Sequence, residues 1–213
     1  MTTALTILGV ITTLFAGWRA GRRVRFFLHV FQLETYKFDR YGRWLRGHLL
    51  MIVRPSHGVG AAVLILGGIA VSWVDPDWVA LLALPVWTGA FISSRRYRSD
   101  EEKKPLEFTD RMTRLAIPVG LWTLLPIALG GLYGWQLGTP VGVLWYLGGF
   151  LAADLGAPLW VALGAALMHP LETAIQNGFK RQARQRLEAR PDLTVVGITG
   201  SYGKTSTKFI LAE

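Results

Sequence analysis

Near one end of the sequence, Val195-Val196-Gly197-Ile198-Thr199-Gly200-Ser201-Tyr202-Gly203-Lys204-Thr205-Ser206-Thr207 brings two glycines, a lysine and a run of hydroxyls into the order that phosphate chemistry requires. Glycines at such spacing let backbone N–H groups close around phosphate oxygens, and a helix starting just after them adds positive potential. Lys204 is placed to reach terminal phosphates, and the Thr205 hydroxyl to help hold Mg²⁺. The candidate nucleotide-binding set is therefore Gly200, Ser201, Tyr202, Gly203, Lys204, Thr205 and Ser206, with Lys204 as the candidate catalytic group and Thr205 as the metal ligand.

A phosphate loop must be held between a strand and a helix. Leu193-Thr194-Val195-Val196-Gly197-Ile198 is a short β-branched run that predicts the first strand of a parallel sheet, and residues 204–212 can continue as a helix. The common form of the loop has a further glycine five residues before Gly203, where this chain has Ile198. The shorter Gly-x-x-Gly-Lys-Thr form is what stands here.

That shorter form, from Ile198 to Ser206, resembles the ATP-binding signature of the Mur ligases, which reads Thr-Gly-Thr/Ser-x-Gly-Lys-Thr/Ser-Thr/Ser after a strand. Ser201, together with Lys208 after the Thr-Ser-Thr run, is most similar to the branch that adds D-alanyl-D-alanine to the muramoyl tripeptide, the MurF type, some members of which are membrane-anchored. The resemblance implies ATP and Mg²⁺ as cofactors and substrates like a UDP-muramoyl peptide and D-alanyl-D-alanine. It implies phosphorylation of a carboxylate to an acyl phosphate, which an amine then attacks to form an amide. Positioning and electrostatic stabilisation carry most of such a reaction. Residues 192–213 are expected to be the start of the ATP-binding domain, and one strand with part of a helix cannot bury a sheet. The chain is thus expected to be the front part of a ligase, inactive by itself.

The remainder has a different character. Hydrophobic residues make up 51% of the sequence, which has no cysteine to supply a disulfide, a thiolate ligand or a thiol nucleophile. The net charge of +9 comes from 23 lysines and arginines that fall in three blocks, 19–54, 95–114 and 180–208. Between the blocks lie spans of membrane length, which points to topology and anionic lipid as partners rather than to nucleic acid. About 20 apolar residues cross a bilayer. The apolar runs predict five crossings, 3–18, 56–74, 78–93, 116–137 and 141–168, with Asp75-Pro76-Asp77 and Gly138-Thr139-Pro140 as turns. The expected fold is a mainly α, multi-span helical membrane region over 1–168. An amphipathic linker helix at 169–191 and the first strand, P-loop and helix of an α/β domain follow it. Basic loops inside put the C-terminus and its ATP site in the cytoplasm, on a multi-pass cell-membrane protein.

The last span is long, with Gly156 and Pro158 as candidate breaks. Within it Asp154 is an isolated charge, and it either caps a helix after the break, faces a neighbouring helix or serves function. His29, His48, His57 and His169 show no metal-ligand spacing. The aromatic and basic stretch from Phe26 to Leu50 suggests helices lying on anionic headgroups. Two other classes of function remain open: a membrane scaffold with a vestigial P-loop, and an ATP-energised transporter subunit, against which Ile198 argues.

The topology is directly testable. Reporter fusions placed after Trp135 and after Arg190 are expected to report opposite sides of the membrane; the same side for both would break the five-crossing arrangement.

Overall fold

The computed structural model describes residues 2–93, 106–138, 141–190 and 192, and among these every regular element is helical. The expected strand at 193–198, the phosphate loop and the helix after it lie outside the described residues. Eight helices follow one another: α1 Thr2–Leu33, α2 Phe38–Gly47, α3 Leu49–Ile52, α4 Pro55–Ala70, α5 Pro76–Ser93, α6 Asp110–Leu137, α7 Val141–Leu155 and α8 Ala157–Glu188. The chain divides into two units, Met1–Pro170 and Leu171–Glu213.

Three helices are long and apolar enough to cross a bilayer, Thr3–Leu33, Pro76–Ser93 and Asp110–Leu137, and α7 with α8 qualifies only as a pair bent by 67°. Where five crossings were expected, α4 differs most. Its 16 residues make roughly 24 Å of helix, short of a hydrocarbon core of about 30 Å. Pro55 begins it and the Arg54 backbone before it is extended, as a residue preceding proline must be. In the turn before α5, the Asp75 carboxylate accepts the Asp77 N–H at 2.9 Å. Thr109 caps α6 through its hydroxyl, which accepts the Met112 N–H at 3.3 Å.

The first helix is also not the short anchor expected over 3–18. It runs on to Leu33 because Thr12, Ala16, Ala20, Arg23, Phe27 and Phe31 recur every three or four residues and are all buried on one face. It stops at a tight turn in which Thr35 and Tyr36 both take a φ of 57°. That turn folds α2 back so that Phe31 meets Tyr36 and Tyr41 edge to face. Phe27, Phe31 and Tyr41 then join Met112, Leu115, Val119 and Val161 in one buried cluster. The aromatics of 26–50 are therefore largely core rather than a lipid-facing layer, and the exposed basic residues of α2, Arg40, Arg43 and Arg46, are what remain on its surface. A second cluster gathers Ala16, Leu84, Trp87, Phe91, Leu147 and Phe150.

The closest packing joins α6 to α7. A Cβ added at Gly134 would lie 2.6 Å from the Gly142 carbonyl oxygen, and one at Gly130 would lie 2.6 Å from that of Trp145. Only hydrogen lets these backbones touch. Inside a bilayer, where lipid tails are as apolar as leucine, such van der Waals packing of small residues holds helices together.

In the second unit, the described part of α8 exposes Leu171, Phe179 and Leu187, while Arg184 pairs with Glu188 at 2.7 Å. The four-residue apolar stride is present there but uncovered among the described residues.

Gly134→Val is expected to lower stability in detergent by about 1–3 kcal/mol or more through overpacking against Gly142. Gly131→Ala, whose added carbon meets only Tyr146 at 3.7 Å, should cost nothing measurable. Equal melting temperatures for the two variants would contradict the backbone contact.

Candidate functional site

Asp154 occupies the last turn of α7, and the chain bends at Gly156 directly after it. The bend needs glycine: a Cβ there would lie 2.6 Å from the Trp160 ring and 2.7 Å from the Ala152 carbonyl oxygen. Trp160 also donates its indole N–H to the Ala153 carbonyl at 3.2 Å, and the Tyr41 hydroxyl donates to the Pro158 carbonyl at 3.2 Å. Burial pushes the Tyr41 phenol above its usual range, so it keeps the proton it donates. These contacts hold the break that aims the Asp154 carboxylate inward.

Three side chains meet that carboxylate. Arg19 and Arg23, one helical turn apart on the buried face of α1, bring their Nε atoms to 3.4 Å and 3.8 Å from it. His57, in the first turn of α4, brings Nε2 to 2.8 Å. Asp154, His57 and Arg23 are 2%, 3% and 1% exposed, so these three are closed to solvent, while the Arg19 side chain is partly exposed. Each arginine is tied further: Arg19 donates to the Phe91 carbonyl at 3.1 Å and lies 4.6 Å over the Phe91 ring, while Arg23 donates to the Ile52 carbonyl and lies over Phe27. Phe91 belongs to one hydrophobic cluster and Phe27 to the other, so the charged group stands between the two.

The His57 tautomer follows from geometry. Its Nδ1 accepts the Arg54 backbone N–H at 2.9 Å, so the proton sits on Nε2 and is donated to Asp154. Both ring nitrogens are committed, which leaves none to take a proton from the neighbouring Ser56 hydroxyl. A hydrolase-like Ser-His-Asp relay is therefore not what this group forms, despite the three residue types. With a neutral imidazole, two guanidiniums face one carboxylate, and the group keeps one positive charge in excess.

The expected nucleotide residues, Gly200 to Ser206 with Lys204 and Thr205, lie outside the described residues. Asp154 was conspicuous in the sequence, but its partners were not. Arg19 and Arg23 read as the basic flank of a short span and His57 as one of several scattered histidines. The usable signal was the register of Arg23 with Ala16, Ala20 and Phe27 on a single helical face. Among the described residues no group of three or more His, Asp or Glu side chains is placed to hold a metal ion. Comparison with protein-family models, with curated proteins and with solved structures gives no match.

Removing one member of a buried ion pair leaves its partner uncompensated, at a cost of about 3–5 kcal/mol. Asp154→Asn is expected to lose that much stability in a denaturant titration in detergent. Arg22→Gln, on the exposed side of α1, should lose less than about 1 kcal/mol. An unchanged midpoint for Asp154→Asn would show that the group carries no weight in the fold.

Proposed function

We propose that this chain supplies the membrane module and the nucleotide loop of an ATP-dependent amide ligase of the Mur type, acting on a peptidoglycan precursor through an acyl phosphate. The observation that carries the reading is the run Thr199-Gly200-Ser201-Tyr202-Gly203-Lys204-Thr205-Ser206, in which every fixed position of the Mur-ligase signature is met. Lys204 stabilises the transferring phosphoryl group, Thr205 holds Mg²⁺, and the loop amides of Gly200 to Gly203 cradle the phosphates. The membrane module keeps the ligase at the cytoplasmic face, beside lipid-linked precursor synthesis.

The Asp154 group supports an anchor over a transporter. A transport path needs its ionisable residues to reach water from one side or the other. Here the carboxylate, the imidazole and one guanidinium are enclosed, and both imidazole nitrogens are engaged. Such an arrangement fixes helices rather than passing ions.

In the intact protein, Lys204→Ala is expected to lower ATP-dependent amide formation by roughly 10²–10³-fold, the usual loss when one charge-stabilising donor is removed. Undiminished turnover in that variant would remove the nucleotide assignment, and with it the ligase reading.

A further inference from the structure

The tail of α8 carries an apolar face that the described residues leave uncovered. Leu171, Phe179 and Leu187 are exposed, and Ile175 is half-buried. At about 100° per residue, Leu171, Ile175, Phe179 and Ala183 occupy roughly a third of the helix circumference. Lys180, Arg181 and Arg184 fall on the opposite side, beside Thr173 and Asn177, and all five are exposed. Leu187 extends the apolar stripe by a turn. Arg186, which falls inside the stripe, has a stem long enough to carry its charge to the edge. From Leu171 to Arg190 five lysines and arginines stand against two glutamates, a net charge of +3.

Charge and position together name what covers the face. The placement of basic residues on one side of a membrane accounts for the cations, but not for large apolar side chains exposed at a four-residue stride. Earlier in α8, Ala157, Val161 and Ala165 are buried with Val119 of α6 in one apolar cluster, and α6 is long and apolar enough to cross a bilayer. Leu171 follows Ala165 by roughly 9 Å of helix. The helix is therefore fastened to a bilayer at one end, and a tether of that length holds its free face at high effective concentration against the lipid surface. An anionic headgroup layer offers both complements, an acyl-chain boundary for the stripe and negative charge for the cations.

We propose that residues 171–187 lie on the surface of an anionic phospholipid bilayer. Leu171, Ile175 and Phe179 enter the boundary between headgroups and acyl chains, while Lys180, Arg181 and Arg184 stay among the phosphates. The surface uses no residue of the nucleotide loop, so it stands apart from the ligase reading.

The sequence has no cysteine, so a single cysteine placed in the whole chain carries one nitroxide label at a known position. Ile175→Cys puts the label on the apolar face and Asn177→Cys on the opposite one. In nanodiscs of phosphatidylcholine with phosphatidylglycerol, the Ile175→Cys label is expected to collide with dissolved oxygen and to be shielded from a water-soluble nickel chelate. The Asn177→Cys label should show the reverse. Replacing Lys180, Arg181 and Arg184 together by glutamine should lower the ratio of inserted to free helix at least about tenfold. Phosphatidylcholine alone should lower it in the same direction, and so should Phe179→Ser. Equal access of the nickel chelate to both labels would overturn the proposal, and so would a response indifferent to lipid charge and to the triple substitution. Spin–spin broadening that disappears when labelled chain is diluted with unlabelled chain would overturn it in favour of a second copy on the same face.

Discussion

A carboxylate enclosed among apolar helices is the constraint that the membrane unit is organised around. Asp154 is stable there only while positive charge and hydrogen-bond donors surround it, and Arg19, Arg23 and His57 provide them from α1 and α4. Each has a structural consequence. The first helix must run past Trp18 to carry its arginines into the interior, and α4 must start at Pro55 so that His57 falls in its first turn. The last two helices must part at Gly156 so that the carboxylate turns inward. A shift of one residue in any of them would leave a charge alone in the bundle.

Packing supplies what electrostatics alone cannot. Burying apolar surface gives little drive between helices already surrounded by lipid, so contact itself has to hold them. Gly130 and Gly134 on α6, facing Gly142 and Gly149 on α7, bring two backbones together without intervening side chains. That rigid hairpin carries Asp154 at its far end. Phe91 and Phe27, which cover the two guanidiniums, connect the charged group to both hydrophobic clusters.

The apolar runs over 78–93 and 116–137 were legible in the sequence because membrane length and hydrophobicity are local properties. The extent of α1 was not. Arginines at 19, 22, 23 and 25 look like a cytoplasmic flank when read in order, although only Arg22 and Arg25 are exposed; Arg23 points inward with the alanine and phenylalanine stripe. The His57 to Asp154 contact joins residues 97 apart, which no local pattern discloses. Phe27, Phe31 and Tyr41 read as an interfacial layer because their burial depends on the reversal at Thr35 and Tyr36, whose residue types do not announce a positive φ. The loop at 199–206, outside the described residues, is legible only as residue type and spacing.

On the proposed ligase reading, the charged centre fixes the helices of the membrane part and the phosphate-loop sequence acts at the membrane surface. The most direct measurement is photolabelling with an azido-ATP in membrane vesicles of known orientation. Inverted vesicles should label the chain in a Mg²⁺-dependent way that excess ATP suppresses, and right-side-out vesicles should not. No suppressible label in either orientation, or labelling from the outer face alone, would contradict the account.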